Sequence, residues 1–264
     1  MSERLRGKTA VVTGAGSSAP GVGTGKAIST LFAREGAIVA LVDLAAERAE
    51  ATRHEIEREG GEAFVVEADV SEARGARQVM EAVSARGRSL DVLVNNVGII
   101  QVGGVVDVEE AEWQRVLDVN LKSVMLMSQQ AIPLMKETGG GSIVNITSIA
   151  ALRGSGTAAY SAAKAGMVGL TQDIAVAYGR DGIRANCIAP GHIHTPMVDD
   201  GRGGSREMRR RISPLGTEGT AWDIAWAAVF LASDESRWIT GVTLPVDAGV
   251  VASMPIMLVP HVMD

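Results

Sequence analysis

Short runs rich in β-branched residues alternate with longer helical patterns along the 264 residues of the chain. Runs such as 37–42, with the sequence AIVALV, are apolar throughout, which is typical of strands buried on both faces. The alternation predicts an α/β fold with a doubly wound, seven-stranded parallel sheet and helices on both faces. The predicted strands are 8–13, 37–42, 62–67, 91–95, 141–147, 183–189 and 242–246. A long helix is predicted from about Glu109 to Lys136, and another from Ala158 to Tyr178.

Length and composition set the class of protein. A chain of 264 residues without a linker-like break is expected to form a single domain over 1–264. Aromatic residues are only 3%, so the core is expected to consist of Val, Ile, Leu, Ala and Met. The net charge of -6 argues against a nucleic-acid partner and against attraction to anionic membranes. Cys187 is the sole cysteine and residues 1–6 lack an apolar stretch, which favours a cytoplasmic protein.

A glycine-rich turn follows the first predicted strand and leads into a helix. Glycines let the backbone approach a pyrophosphate, and the free N–H groups of a helix start favour its negative charge. The turn therefore predicts a dinucleotide site. Its candidate residues are Gly14, Ser17, Gly23, Thr24 and Gly25.

Acidic residues follow the second and third predicted strands. Asp43 can accept hydrogen bonds from an adenosine ribose and would repel a 2′-phosphate, which favours NAD over NADP. Two alternatives stay open: Lys26 could attract a phosphate, and Asp43 could cap the next helix. Asp69 is either an adenine contact or a helix cap. The neighbours of these carboxylates, Leu44 and Val70, are also assigned to the cofactor site.

Tyr160 and Lys164 are four residues apart in a predicted helix, and Ser148 lies at the end of an apolar strand. Residues at this spacing share a helix face, so the Lys164 ammonium is expected to lie near the Tyr160 oxygen and to lower its pKa. A phenol with a lowered pKa can exchange a proton near neutral pH. The set predicts acid–base chemistry.

These motifs, together with Asn95-Asn96-Val97-Gly98 and the 190–196 sequence PGHIHTP, resemble the classical short-chain dehydrogenase/reductase family over essentially the whole chain. The resemblance implies a Rossmann fold, a nicotinamide cofactor and hydride transfer. It also implies that Tyr160 is the acid–base, that Ser148 holds the substrate oxygen, and that Lys164 binds the ribose. Asn120 matches the family asparagine whose carbonyl holds a water on a proton path; alternatively it stabilises a kink in the long helix. The resemblance adds cofactor contacts at Asn96, Gly98, Tyr160, Lys164, Pro190, Gly191, Ile193 and Thr195.

The phosphate turn departs from the family pattern by five extra residues, 18–22. Either Gly21-Val22-Gly23 or Gly23-Thr24-Gly25 could supply the second glycine pair. The second is favoured, because Lys26-Ala27-Ile28 continues as the family's helix does. Enoyl reductases of the same superfamily have a lengthened turn, but their tyrosine and lysine are spaced differently, so the chain resembles the alcohol-forming branch.

The substrate side carries fewer signals. A substrate lid is predicted at about 196–215, with Met197 and Val198 as apolar walls and an ordinary surface loop as the alternative. His192 is expected to line the pocket, no metal site is predicted, and the arginines at 209–211 are expected to form a solvated face. The apolar tail from Met254 could pack on a neighbouring subunit, since members of the family are commonly tetramers, or fold back onto its own subunit.

The leading hypothesis is an oxidoreductase that transfers a hydride between NAD(H) and a secondary alcohol or its ketone, a small-molecule substrate. The alternatives are an NADPH-dependent 3-oxoacyl-thioester reductase and a catalytically silent dinucleotide-binding protein.

Overall fold

The computed structural model describes residues 3–17, 19–196 and 205–254. Its strands are β1 Thr9–Thr13, β2 Ile38–Asp43, β3 Glu62–Glu67, β4 Val92–Asn95, β5 Gly141–Ile146, β6 Ile183–Pro190, β7 Ile193–His194, β8 Gly219–Thr220 and β9 Thr243–Val246. Seven of them form one parallel sheet in the order β3-β2-β1-β4-β5-β6-β9. The predicted Rossmann fold and its seven strands are confirmed. The short pair β7 and β8 was not predicted.

Helices cover both faces of the sheet. They are α1 Thr24–Arg34, α2 Ala46–Arg58, α3 Ala73–Ser84, α4 Glu110–Leu117, α5 Ser123–Glu137, α6 Ala158–Tyr178, α7 Arg206–Arg211 and α8 Ala221–Ala232. Buried side chains of α1, α2 and α8 belong to the core on one face, and those of α3, α5 and α6 belong to the core on the other.

The strands supply the two cores alternately. Val12 packs into the core under α1 and α8, whereas its neighbour Val11 packs into the core under α3 and α5. Successive side chains of a strand point to opposite faces, so a strand that is apolar throughout contributes to both layers. Phe32 is the one aromatic residue among the largest fully buried side chains of the described chain. The expectation of an aliphatic core is confirmed.

The predicted long helix is present, from Glu110 to Glu137, but it is not regular. A π-helical turn, Asp118–Lys122, joins α4 to α5, and Asn120 in this turn is fully buried. A π-turn adds a residue to the helix and disturbs the regular hydrogen-bond ladder, which the apolar periodicity alone does not reveal. The predicted helix Ala158–Tyr178 is confirmed at both ends.

Three buried polar side chains connect the middle of the sheet to α6. The Asn95 amide donates to Asn145 Oδ1 at 2.8 Å, and Asn145 Nδ2 donates to Thr171 Oγ1 at 2.8 Å. All three side chains are at most 3% exposed. Asn95 therefore has a structural role, because it ties the ends of two neighbouring strands together.

The predicted lid falls partly outside the described residues. Met197 and Val198 lie in the 197–204 gap, and the tail beyond Met254 is likewise not described. The described portion, 205–215, contains α7, whose first turn is capped by the Ser205 side chain through Met208 N at 3.1 Å. The lid stays a prediction.

Candidate active site

The carboxyl ends of the strands border a cleft of about 820 Å³. In an open parallel sheet, ligands bind at this edge, where the strand order reverses. The predicted cofactor residues that line it are Gly14, Ser17, Gly23, Thr24, Gly25, Asp43, Leu44, Asp69, Val70, Asn96, Gly98 and Thr195. The other predicted cofactor residues do not line it: Tyr160 and Lys164 lie in α6, and Pro190, Gly191 and Ile193 lie at the end of β6, after it and in β7.

The glycine turn is closed by direct packing of α1 on the end of β1. A Cβ atom at Gly25 would overlap the Gly14 carbonyl oxygen and lie 2.6 Å from Asn96 Nδ2. Asn96 Nδ2 donates to Thr13 O at 3.0 Å, which holds the end of β1. Because α1 begins at Thr24, the choice of residues 23–25 as the second glycine pair agrees with the fold. This glycine cradle leaves room for a diphosphate to approach the backbone.

The lengthened turn has its own closing contact. The Ser17 hydroxyl accepts a hydrogen bond from Gly23 N at 3.0 Å. Lys26, in the first turn of α1, forms a salt bridge with Glu55 at 2.7 Å. The Lys26 charge is therefore already balanced by a carboxylate of α2.

Asp43 is fixed at the end of β2 by backbone donors. Its carboxylate accepts from Gly16 N at 3.0 Å and from Ala45 N at 3.1 Å, and the residue is 9% exposed. It does not cap α2 in the usual way, because the N-cap position belongs to Ala45. The fixed negative charge faces the cleft that also contains the exposed Arg48.

Asp69 closes a tight turn after β3. Its Oδ1 accepts from Ser71 N at 2.9 Å and from Ser71 Oγ at 2.6 Å. The helix-cap alternative is wrong, since α3 begins at Ala73 and its N-cap residue is Glu72. The turn places Asp69 and Val70 on the wall of the cleft.

Tyr160 and Ser148 meet at the end of β5. Tyr160 is in the first turn of α6, and its hydroxyl forms a hydrogen bond with the Ser148 side chain. The Ser148 oxygen also accepts from Ala150 N at 3.1 Å, which fixes it at the start of a short helical turn. A hydroxyl pair of this kind can hold and protonate an oxygen placed between them.

Lys164 lies one turn further along α6 and is 3% exposed. Its ammonium donates to Ile146 O at 2.8 Å. A Cβ atom at Gly98 would lie 3.3 Å from Lys164 Nζ and 3.0 Å from Asn120 Oδ1. The amine therefore lies close to Gly98, a residue that lines the cleft.

The prediction that Lys164 lowers the pKa of Tyr160 is wrong for this structure. Burial raises the pKa of the phenol, and the hydrogen bond from Ser148 opposes this shift only in part. Lys164 Nζ is directed to Ile146 O and lies 5.7 Å from the centroid of the Tyr160 ring. Burial also lowers the pKa of Lys164 from 10.5 to about 8, because a buried ammonium loses hydration.

Asn120 binds the backbone of the segment after β4. Its Oδ1 accepts from Ile99 N at 2.7 Å, and its Nδ2 donates to Ile99 O at 2.8 Å. The side chain thus joins the π-turn to the strand-end segment, which agrees with the alternative of a helix-distorting structural residue. Its proton-path role stays a prediction.

Comparison with known proteins places these motifs in a family. A family model described as Enoyl-(Acyl carrier protein) reductase matches residues 19–251. An uncharacterized short-chain type dehydrogenase/reductase of Sinorhizobium fredii is 39% identical over 252 residues, covering 93% of this chain and 98% of the relative. This chain belongs to the short-chain dehydrogenase/reductase family. A 3-oxoacyl-[acyl-carrier-protein] reductase of Thermotoga maritima is 37% identical over 249 residues, which are 94% of this chain and 99% of the relative.

The similarity extends to solved structures. A 7α-hydroxysteroid dehydrogenase complexed with NADH and 7-oxo glycochenodeoxycholic acid aligns with a TM-score of 0.86 and 34% identity, over 94% of this chain and 96% of that chain. As a short-chain dehydrogenase/reductase, the protein is an oxidoreductase that uses a nicotinamide dinucleotide. Within the described residues, no helix is long and apolar enough to cross a membrane.

On the substrate side of this family site, one prediction is corrected. Arg209 is not solvated: it is 3% exposed and forms a salt bridge with Glu218 at 2.6 Å. Arg210 and Arg211 pair with Glu207 on the surface of α7. Partial burial and the nearby Arg209 guanidinium lower the pKa of His192.

Several cleft residues were not among the predicted site residues. They are Gly16, Val42, Arg48, Ala68, Ser71, Val97, Ile99, Ala111, Gln114, Arg115, Asp118, Val119 and Pro196. Gly16 lies in the glycine-rich turn, and Val97 and Pro196 lie in the family motifs, so these three could have been included. The members from α4 and the π-turn reach the cleft through tertiary packing, and no short motif marks them.

Proposed function

We propose that this protein is an NAD(H)-dependent dehydrogenase of secondary alcohols and reductase of the matching ketones, with Tyr160 as the acid–base. The observation that carries the proposal is the half-buried Tyr160–Ser148 hydroxyl pair, with Tyr160 one helical turn before Lys164, whose amine lies close to the cleft residue Gly98. When bound, a nicotinamide dinucleotide supplies or accepts the hydride. Ser148 holds the substrate oxygen, and Tyr160 Oη donates the proton in reduction or takes it in oxidation.

NAD is proposed over NADP because of the charges around the adenosine end. Asp43 keeps a fixed carboxylate at the end of β2, and Lys26 is paired with Glu55. A carboxylate there can accept ribose hydroxyls and repels a 2′-phosphate. The NADH in the complex of the related steroid dehydrogenase supports the same choice.

The test compares two tyrosines of one helix. Purified protein is assayed with NAD and NADP on a panel that includes cyclohexanol, a 7α-hydroxysteroid and 3-hydroxybutyryl-CoA, by absorbance of the reduced nicotinamide. Tyr160→Phe is expected to lower kcat by about 10²–10⁴-fold with NADH binding retained. Tyr178→Phe, at the far end of α6, is the matched control. A Tyr160→Phe enzyme with more than a tenth of the activity refutes the role of the phenol.

A 3-oxoacyl-thioester reductase is the second candidate, favoured by the Thermotoga maritima relative. Acetoacetyl-CoA with NADPH distinguishes it, since a higher kcat/KM there than for any alcohol with NAD selects this function. Binding of NADH without turnover of any panel member would select the silent dinucleotide-binding alternative.

Assembly and location complete the proposal. Trp226 and Trp238 are 51% and 97% exposed, and exposed aromatic residues of this size favour a subunit contact. A homotetramer is therefore proposed, as is a cytoplasmic location, which suits the buried free thiol of Cys187. Light scattering on the purified protein tests the first, and cell fractionation tests the second.

A further inference from the structure

Gln101, in the segment that follows β4, is 1% exposed, although glutamine is mostly a surface residue. Its amide makes three hydrogen bonds to the backbone. Oε1 accepts from Ala159 N at 3.1 Å, and Nε2 donates to Val102 O at 2.6 Å and to Gly103 O at 3.0 Å. Gln101 thus connects the end of β4 to the helix that carries Tyr160.

Tyr160 is the third residue of α6, in the turn where helices begin to fray. The first four N–H groups of a helix have no acceptor within it. Thr157, at the N-cap position, makes no capping side-chain bond in the described structure. Gly103 O accepts from Ala158 N at 3.1 Å instead, and Gln101 Oε1 accepts from the next amide. The first turn therefore depends on residues 101–103 for its acceptors.

Segment 101–103 is itself held firmly. Asn120 binds both backbone groups of Ile99, at 2.7 and 2.8 Å. Gly103 has a φ of +109°, a conformation that favours glycine, and a Cβ atom there would lie 3.0 Å from Asp107 Cβ. A chain of contacts thus runs from the π-turn through Ile99 and Gln101 to the amide beside Tyr160.

We propose that Gln101 is a positioning residue that fixes the first turn of α6 and keeps the Tyr160 hydroxyl beside Ser148. The inference rests on the proposed acid–base function of Tyr160. A displacement of about 1 Å at a reacting group can cost 10²-fold in rate. Loss of the Gln101 acceptor leaves the buried Ala159 amide without its partner, so the turn is expected to shift or open.

The experiment uses Gln101→Met, which keeps the length of the side chain and removes its hydrogen bonds. Because the chain has only two tyrosines, a Tyr178→Phe background leaves Tyr160 as the only phenol, and its titration can be followed by NMR of ring-labelled tyrosine. Burial raises the pKa of Tyr160, so a loosened turn is expected to move it back toward about 10. Hydrogen exchange at Ala159 is expected to be about tenfold faster.

Activity supplies a second readout. For the fastest alcohol of the panel, Gln101→Met is expected to lower kcat by about 10–100-fold, while the Kd for NADH changes by less than about twofold. Gln101→Glu keeps the acceptor for Ala159 but turns a carboxylate oxygen toward two carbonyl groups. Its kcat relative to the parent is expected to recover as pH falls, because the protonated acid can donate again. Gln78→Met, which removes an exposed glutamine contact to Glu67 O, is the control.

The outcomes separate the two proposals. Gln101→Met could lose thermal stability while the pKa of Tyr160, and the kcat per NADH-binding site, stay as in the parent protein. In that case Gln101 is only structural and the inference is overturned. If Gln101→Met fails to fold, the pH-dependent rescue of Gln101→Glu decides instead: recovery at low pH supports the inference, and an unchanged profile overturns it. An active Tyr160→Phe enzyme, by contrast, overturns the proposed function itself.

Discussion

Replacing Lys164 with Met tests whether the positive charge of the buried Lys164 side chain opposes folding. Burial lowers the pKa of Lys164 from 10.5 to about 8. Between these values the unfolded chain holds a proton that the folded protein has released, so the free energy of unfolding rises with pH. Relative to a neutral side chain, the lysine destabilises the fold by about 3 kcal/mol at roughly pH 6.5 and by about 1 kcal/mol at roughly pH 9.5.

Lys164→Met removes this penalty together with the Nζ hydrogen bond to Ile146 O. The lost hydrogen bond costs about 1–3 kcal/mol at either pH. This cost therefore cancels when the stability differences at the two pH values are compared. The free energy of unfolding of the mutant minus that of the parent protein is thus expected to be about 2 kcal/mol larger at the lower pH than at the higher pH.

The assay is urea unfolding followed by tryptophan fluorescence at both pH values. Lys122→Met, which removes a surface partner of Asp118, controls for the loss of a lysine as such. Turnover by Lys164→Met is expected to be nearly abolished, so a gain in stability would accompany a loss of function. An equal stability difference at the two pH values would refute the claim that burial disfavours the charged lysine.

Three further predictions follow from the structure. Asp43→Asn removes a negative charge that, at roughly 5 Å, repels a 2′-phosphate by about 3 kcal/mol per unit charge. The ratio of kcat/KM with NAD to kcat/KM with NADP should therefore fall by about 10²-fold. An unchanged ratio would show that another residue determines the cofactor preference. Ala248 has a φ of +54°, and Ala248→Gly is expected to raise the free energy of unfolding by about 0.5–1 kcal/mol in a urea titration, whereas a decrease would show that the turn is unstrained. Trp226→Glu, at a half-exposed position of α8, should give a smaller assembly by light scattering with unchanged circular dichroism, and an unaltered mass would exclude this surface from the subunit contact.

The sequence was sufficient for the sheet and for the side chains that follow its strands. Runs such as 37–42 are apolar at every position, and their short length and β-branched residues favour a strand buried on both faces. Asp43 and Ser148 could be placed because the carboxyl ends of parallel strands share one edge of the sheet. The i, i+4 spacing of Tyr160 and Lys164 likewise predicted their common helix face.

What the sequence did not reveal depends on distant partners. The direction of the Lys164 ammonium is decided by the Ile146 carbonyl of β5, and this acceptor carries no sequence signal. Arg209 is in a run of three arginines, and its burial distinguishes it from the other two; that burial depends on partners outside the run, such as Glu218. Gln101 belongs to no motif, and its function as a helix cap depends on an amide 58 positions away.

The hydrogen bonds that join the side chains of Asn95, Asn145 and Thr171 constrain attempts to redesign the protein. If β5 slipped by one residue, Asn145 would turn to the opposite face and leave polar groups of all three side chains without their partners in a dry interior. Apolar neighbours tolerate exchange for others of similar volume. A library that varies these three positions independently should therefore yield mostly misfolded chains, whereas one that exchanges them as a set can retain the correct strand alignment.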